Sequence, residues 1–293
     1  MKWVERNPLL VVVIALLGVS VSAICVRYSG ASSVVTSAYR LFWTVALLTP
    51  YAWGKTEIRQ SLLNVDKKTF IISIVSGIAL ALHFTWWFES LAHTTVASST
   101  VIVCTEVIWV ALGFCLFLRG RMSSQAVLAI SITLFGCVMV AWSDSMEMGA
   151  HLYGDFLALI AAVAVAVYTL LGRLARERVS TTVYTYIVYV SAAVTLFIMA
   201  LAGGEALFEF RTDAMVVSFL LSVCSTLMGH SLFSWCLKYF SPTFVSAVKL
   251  CEPVVASIMA LMLFGEVPGL WQLLGGGIIL GGVVYYSRIE ARK

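Results

Sequence analysis

Apolar runs long enough to cross a membrane occupy almost the whole of this 293-residue chain. An α-helix needs about 20 mostly apolar residues to cross the hydrocarbon layer of a bilayer. Only 12% of the residues are charged, about half the fraction found in soluble domains. The sequence therefore excludes a soluble globular protein, a disordered chain and a disulfide scaffold. It predicts an all-α integral membrane protein.

Short polar breaks divide the apolar runs into ten predicted transmembrane helices. These spans cover residues 9–27, 33–53, 69–91, 95–118, 124–142, 153–172, 183–202, 214–237, 243–264 and 270–287. Few residues remain outside them, so we expect no appended soluble domain.

Basic residues are concentrated on one side of the predicted membrane. When the breaks are assigned alternately to the two sides, fifteen Lys and Arg residues share the side of the N-terminus, and only Arg27 and Arg211 fall on the other. Cytoplasmic segments carry this excess of positive charge, so we expect both termini in the cytoplasm and the chain in the plasma membrane. The net charge of +4 then reflects topology, and no nucleic-acid partner is expected.

The two halves of the chain resemble each other. A shift of 146 residues superimposes arginines, glycines and the intramembrane residues Glu106 and Glu252 without a gap. This pattern predicts two five-helix repeats, residues 1–146 and 147–293, and the odd number of spans inverts the second repeat relative to the first. Inverted repeats are typical of transporters that work by alternating access.

Five charged residues lie within the predicted spans: Arg40, Glu89, Glu106, Lys249 and Glu252. Each is costly in hydrocarbon unless it faces a partner or a wet cavity, although Glu89 lies close enough to the outer surface to be interfacial. Two interpretations fit. Lys249 with Glu252 and Arg40 with Glu106 could form permanent structural pairs, or these four charges could line a central cavity that binds a polar substrate or exchanges a proton.

Pro253 predicts a break in the ninth span. It lacks the amide hydrogen that would bond the carbonyl oxygen of Lys249. A discontinuous helix near the membrane centre indicates a binding site in many transporters, and an ordinary proline kink in a packed helix is the alternative.

Aromatic residues and histidines deep in the spans are further candidates for the wall of a cavity or a proton path. Packing in the protein core is the alternative role for each. The set consists of Tyr39, Trp43, Trp86, Trp109, Tyr168, His83 and His230.

Enzyme and metal-site motifs are missing from the sequence, so we expect no catalytic residue, no metal and no cofactor. The seven cysteines lie in apolar segments and are expected to be packing residues. The glycines between residues 275 and 282 are expected to let the tenth span pack closely against a neighbour.

Several motifs resemble the EamA-type branch of the drug/metabolite transporter superfamily. They are Ala38-Tyr39-Arg40-Leu41, Ser241-Pro242, Glu252-Pro253-Val254 and Leu263-Phe264-Gly265-Glu266. The resemblance implies a metabolite carrier, often an exporter of amino acids. It also implies a ten-helix inverted-repeat fold with a cavity lined by helices one, three, four, six, eight and nine, and with helices five and ten peripheral.

Two features depart from the family pattern. Arg119-Gly120-Arg121 stands where a Gly-Glu pair is expected, and Glu106 and Lys249 are unusually charged for their positions. These charges favour a zwitterionic or anionic ligand.

We therefore expect a secondary transporter that exports an amino acid or a related small metabolite by alternating access. Glu106, Lys249 and Glu252 would contact the substrate or a proton, and Arg40 would bind a carboxylate or hold Glu106. A proton-coupled importer, or an exchanger of an anionic or cationic metabolite, is the close alternative. A lipid-modifying membrane enzyme is the alternative of a different class, and the missing catalytic motifs oppose it.

Overall fold

The structure is a computed structural model that describes residues 7–94, 96–145, 152–264, 267 and 269–291. Within these ranges all the regular secondary structure is helical and no β-strand occurs. The α-helices, in chain order, are α1 (Pro8–Cys25), α2 (Ser33–Gly54), α3 (Thr56–Leu63), α4 (Lys67–His93), α5 (Val96–Cys104), α6 (Glu106–Leu116), α7 (Ser124–Ser145), α8 (Leu152–Arg176), α9 (Thr181–Ala202), α10 (Thr212–Leu220), α11 (Ser231–Cys236), α12 (Pro242–Lys249), α13 (Glu252–Phe264) and α14 (Leu270–Glu290). A 3₁₀ turn (Val26–Tyr28) follows α1, and a π-helix (Leu221–His230) joins α10 to α11.

Five helical stretches are long and apolar enough to cross a membrane: Lys67–His93, Ser99–Leu116, Leu152–Arg176, Thr181–Ala202 and Thr212–Cys236. Two shorter apolar helices, Pro8–Ser22 and Ser124–Val140, accompany them. The prediction of a multi-pass, all-α membrane protein is confirmed, whereas the count of ten spans and the orientation of the termini stay predictions.

Polar side chains fix the starts of several helices. Ser32, Asp66, Ser180 and Ser241 each accept a hydrogen bond from the backbone N–H three residues further on. This bond satisfies an amide that has no partner inside its own helix. At Asp66 the hydrogen bonds from Thr69 also hold the pKa of the carboxyl below its usual value.

The first helix shows how the apolar residues are divided between core and lipid. Leu9, Val13 and Leu17 lie on its exposed face. Val12 and Ala15 are buried on the opposite face, in the largest core cluster. Large exposed apolar side chains of this kind suit a surface that faces lipid tails.

Packing places four helical segments around the centre of the molecule. The longest contact runs between α4 and α8, and α1 packs along the π-helix. α7 and α14 pack mainly against each other. The centre is therefore enclosed by α1, α4, α8 and the π-helix, together with the segments α5–α6 and α12–α13.

Glycines allow the closest helix contacts. An added Cβ at Gly18 would lie 2.6 Å from the carbonyl oxygen of Cys224, so α1 can approach the π-helix only without a side chain there. On the other side of the molecule, a Cβ at Gly275 would lie 2.8 Å from the carbonyl oxygen of Gly136. The expected close packing of the tenth span is confirmed, with α7 as its neighbour.

We predict that Gly275→Ala destabilises the protein because the new methyl group would overlap the backbone of α7. Overpacking of this kind costs about 1–3 kcal/mol. Gly277→Ala is the matched control, because nothing lies within 4 Å of a Cβ at Gly277 and alanine favours a helix by up to about 1 kcal/mol over glycine. Thermal unfolding in detergent measures both variants. Equal unfolding temperatures would contradict the assigned contact.

Candidate functional site

Two helical segments at the centre of the molecule are interrupted at equivalent positions. α5 and α6 meet at Thr105, and α12 and α13 meet at Leu250 and Cys251. The amide of Thr105 donates to the carbonyl of Ile102 three residues back, and the amide of Cys251, 146 residues later, makes the same kind of bond to Val248. The break predicted near Pro253 is confirmed. The break at Thr105 was not predicted, because no proline marks it.

The two breaks bring Lys249 and Glu106 together. Lys249 is the last residue of α12 and Glu106 the first of α6. The Nζ of Lys249 donates to the Oε1 of Glu106 at 2.9 Å, and the two side chains are 10% and 4% exposed. A charge pair buried this deeply requires close geometry to offset the loss of hydration.

The two ion pairs suggested by the sequence, Lys249 with Glu252 and Arg40 with Glu106, are therefore wrong. Lys249 binds Glu106 and not Glu252, because the break separates Lys249 from Glu252 and removes the shared helix face that their spacing implied. Arg40 does not bind Glu106 either, since its hydrogen bonds go to hydroxyl groups of the π-helix.

A small cavity lies beside the ion pair. Its lining comes from predicted spans one, three, four, six, eight and nine, the set that the resemblance implies. The lining residues are Val19, Ser22, His83, Trp87, Val103, Cys104, Glu106, Val165, Ser225, His230, Lys249 and Glu252. The space open to water is about 40 Å³, enough for a few water molecules, so the site must widen to admit an amino acid.

Three of the lining residues carry buried polar atoms without a hydrogen-bond partner in the described part of the chain. They are Oε1 of Glu252, Nδ1 of His230 and Nε1 of Trp87. Buried polar atoms are paired in the great majority of cases, and unpaired ones often mark a functional site. The cavity thus offers at least one anionic acceptor and one donor to a ligand.

Arg40 lies behind the cavity wall, fully buried on α2. Its Nε donates to Oγ1 of Thr226 at 2.7 Å and its Nη2 donates to Oγ of Ser225 at 2.8 Å. The guanidinium also lies 4.0 Å from the ring centre of Phe84, a favourable cation–π distance. Arg40 therefore fixes the π-helix, whose residue Ser225 reaches the cavity.

The two histidines enter the cavity from different helices. Nδ1 of His83 lies 3.0 Å from the carbonyl oxygen of Ala161, and its ring stacks on Trp87. His230 ends the π-helix and lies edge-on to Phe84 and Tyr168. A π-helix changes the direction of the side chains that follow it and occurs frequently at functional sites.

The five aromatic candidates do not line this cavity. Tyr168 contacts the lining residue His230 edge-on, and its hydroxyl is hydrogen-bonded to Ser234. Trp109 is 37% exposed on the outer surface. Trp86 packs in a neighbouring apolar cluster, and Trp43 packs edge-on against Phe219.

Tyr39 lines a different cleft. Its hydroxyl donates to the carbonyl of Leu207 at 2.6 Å, and its ring stacks on Phe210. This cleft lies between the segment after α1 and the segment after α9. The hypothesis that Tyr39 walls the central cavity is therefore wrong.

Several lining residues were not predicted from the sequence. Among them are Ser22, Ser225, Cys104 and Trp87. Serine in an apolar span is a signal that could have drawn attention to Ser22 and Ser225, but many buried serines bond only their own helix, as Ser73 does. The π-helix that turns Ser225 inward has no signature in the sequence.

Glu89 and His93 do not line the central cavity. Glu89 and His93 are hydrogen-bonded at 3.1 Å and are 40% and 45% exposed, which places them at the surface of the protein. In the described ranges no cluster of His, Cys, Asp and Glu could hold a metal, and all seven cysteines are free.

Residues 152–288 match a known family, described as the EamA-like transporter family. The match lies in the second half of the chain. Relatives include an uncharacterized transporter of Clostridium kluyveri, 21% identical over 82% of this chain and 79% of its own length. Another, from Archaeoglobus fulgidus, is 23% identical over 89% of both chains, and one from Bacillus subtilis is 24% identical over 74% of this chain and 70% of its own. The resemblance to EamA-type transporters is confirmed.

The fold has a close counterpart among solved structures. A crystal structure superimposes with a TM-score of 0.79, covers 98% of both chains and is 15% identical. At this identity the likeness concerns the fold alone. The chain is thus similar to membrane transporters of the EamA-like family, and its central cavity contains charged residues.

We predict that removal of Lys249 destabilises this transporter through Glu106 and not through Glu252. Lys249→Met should lower the free energy of unfolding by about 3 kcal/mol, because it leaves Glu106 buried and unpaired. Adding Glu106→Gln should restore at least half of the loss, whereas adding Glu252→Gln should restore little. Thermal unfolding in detergent gives the comparison. Equal rescue by the two second substitutions would contradict the observed pairing.

Proposed function

We propose that this protein is a secondary transporter that exports amino acids or related small metabolites across the plasma membrane by alternating access. The observation that carries the proposal is the cavity at two equivalent helix breaks, lined by ionisable side chains. Discontinuous helices with polar groups at the centre of a membrane protein are typical of transporter binding sites.

The geometry supports the predicted repeats, residues 1–146 and 147–293. A shift of 146 residues places α1 on α8, α2 on α9 and α7 on α14, with ends that differ by at most five residues. The same shift places α4 on the combined stretch of α10, the π-helix and α11. Two similar units related by inversion can exchange conformations, which would open the cavity first to one side and then to the other.

The charges of the cavity support a polar substrate. Lys249 and Glu106 neutralise each other, while Glu252 has a buried oxygen without a partner in the described ranges. An ammonium group or a proton would satisfy that oxygen. Amino acids as cargo and the outward direction of transport rest on the resemblance to the EamA family.

Proton coupling would use the same carboxylate. If Glu252 takes up a proton when the substrate leaves, the same carboxylate binds the substrate and the proton in turn. The protein then exchanges substrate for protons. If the proton and the substrate bind together, the protein is the importer that the sequence left as the close alternative. The direction of the proton gradient that drives uptake into vesicles separates these two cases.

We predict counterflow of labelled amino acids in proteoliposomes that contain the purified protein. Glu106→Gln should reduce the flux per folded molecule at least about tenfold, because it removes the anion that holds Lys249. Glu89→Gln, an exposed glutamate on α4, is the control and should leave the flux unchanged. Uptake driven by an acidic vesicle interior would indicate exchange, and uptake driven by an acidic exterior would indicate import. The same flux in Glu106→Gln as in the wild type would contradict a role of the ion pair in transport.

A further inference from the structure

Two residues on different helices present complementary hydrogen-bonding groups to the central cavity: a carboxylate oxygen that can accept and a hydroxyl that can donate. Glu252 begins α13 and has a buried Oε1 without a partner in the described part of the chain. Ser225 belongs to the π-helix and lines the same cavity. The remaining ionisable groups of the lining are His83, His230, Cys104 and the ion pair of Lys249 and Glu106.

The hydroxyl of Ser225 is held as a hydrogen-bond donor. Its oxygen accepts one bond from Oγ of Ser22 at 2.5 Å and another from Nη2 of Arg40 at 2.8 Å. A hydroxyl has two acceptor positions and one proton to donate. Both acceptor positions are therefore used, and no acceptor for the proton occurs in the ranges that the structure describes.

Arg40 strengthens this donor. Hydrogen bonds that involve a charged group are about twice as strong as neutral ones, and successive bonds in a buried network polarise one another. Arg40 forms no ion pair with any carboxylate in the described ranges, and its Nη1 has no partner there. Its positive charge therefore acts on the cavity through Ser225 and favours an anionic group at that hydroxyl.

The charges of this region are balanced but not paired. Lys249 and Glu106 cancel at contact distance, whereas Arg40 and Glu252 have opposite charges without a direct bond between them. A ligand with a positive end and a negative end satisfies both. A simple cation would leave Arg40 without a counter-ion, and a simple anion would leave Glu252 without one.

We propose that the cavity binds a zwitterion, with its ammonium group on Glu252 and its carboxylate on the hydroxyl of Ser225. This inference rests on the proposed function and specifies its substrate class and its orientation. Arg40 is a positioning residue, because it acts on the ligand through Ser225. Lys249 stays with Glu106 and contributes no charge to recognition.

The test uses sets of three molecules that share one side chain, in which the amine lacks the carboxylate and the acid lacks the ammonium group. Alanine, ethylamine and propanoate form one set; leucine, 3-methylbutylamine and 4-methylpentanoate form another; phenylalanine, 2-phenylethylamine and 3-phenylpropanoate form a third. Binding to the purified protein is measured as ligand-induced stabilisation against heat. In at least one set the amino acid should bind about tenfold or more tightly than both its amine and its acid, because each charged hydrogen bond contributes about that factor.

Two substitutions should change the selectivity in opposite ways. Glu252→Gln should weaken the amino acid and the amine about tenfold and leave the acid unaffected. Ser225→Ala should weaken the amino acid and the acid and leave the amine unaffected. Ser222→Ala is the matched control on the same π-helix, since its hydroxyl bonds Thr44 and does not line the cavity.

The outcomes separate this inference from the proposed function. Acids that bind as tightly as the amino acids, or no binding by any of the nine molecules, would overturn the zwitterion site. Loss of the same factor for all three members of a set in both variants would also overturn it, because that pattern indicates structural damage. The expected selectivity without counterflow in vesicles would leave the zwitterion site standing and contradict transport.

Discussion

The buried ion pair between Lys249 and Glu106 depends on the two helix breaks, and the arrangement around the cavity depends on the pair. In a continuous helix Lys249 would share a face with Glu252, and the two would neutralise each other at close range. The break at Leu250 and Cys251 sends the two side chains to different partners. Glu252 is left with an unsatisfied oxygen beside the cavity, which offers an acceptor to a ligand or a proton.

The second constraint is the contact between Arg40 and the π-helix. The predicted repeat places this helix on the middle of α4, yet α4 is α-helical throughout and the second copy is not. Arg40 on α2 donates hydrogen bonds to Ser225 and Thr226 of the π-helix. α4 therefore contributes a stacked pair, His83 on Trp87, and the π-helix contributes the hydroxyl of Ser225. These unequal groups would give a bound zwitterion a defined orientation under the proposed mode of binding.

Structural features that follow from the need to cross a membrane, or from a single residue type, could be predicted from the sequence. The apolar runs predicted the helices, Pro253 predicted the second break, and Gly275 predicted close packing of α14. Ion-pair partners could not be predicted from spacing, since Lys249 and Glu106 are 143 residues apart and meet only because both helices are interrupted. The same holds for Ser225, whose direction depends on a π-helix that no residue type marks.

The depth of aromatic residues was also a poor guide to the cavity. Trp109 lies less than one helical turn from Glu106 in sequence, but its side chain faces outward. Helix rotation decides whether a residue faces lipid or cavity, and a span that is apolar on all sides carries little information about rotation. The rotation of α4 decides that Trp87 lines the cavity and that the predicted residue next to it, Trp86, does not.

The most direct test of alternating access uses Cys104, a native residue of the cavity wall. In a variant whose other six cysteines are replaced, the reaction of Cys104 with a membrane-impermeant thiol reagent is measured from each side of oriented vesicles. Alternating access predicts that Cys104 reacts from both sides. A saturating concentration of a transported amino acid on one side should slow the reaction of Cys104 from that side. Reaction from one side only, whatever the substrate, would contradict alternating access at this cavity.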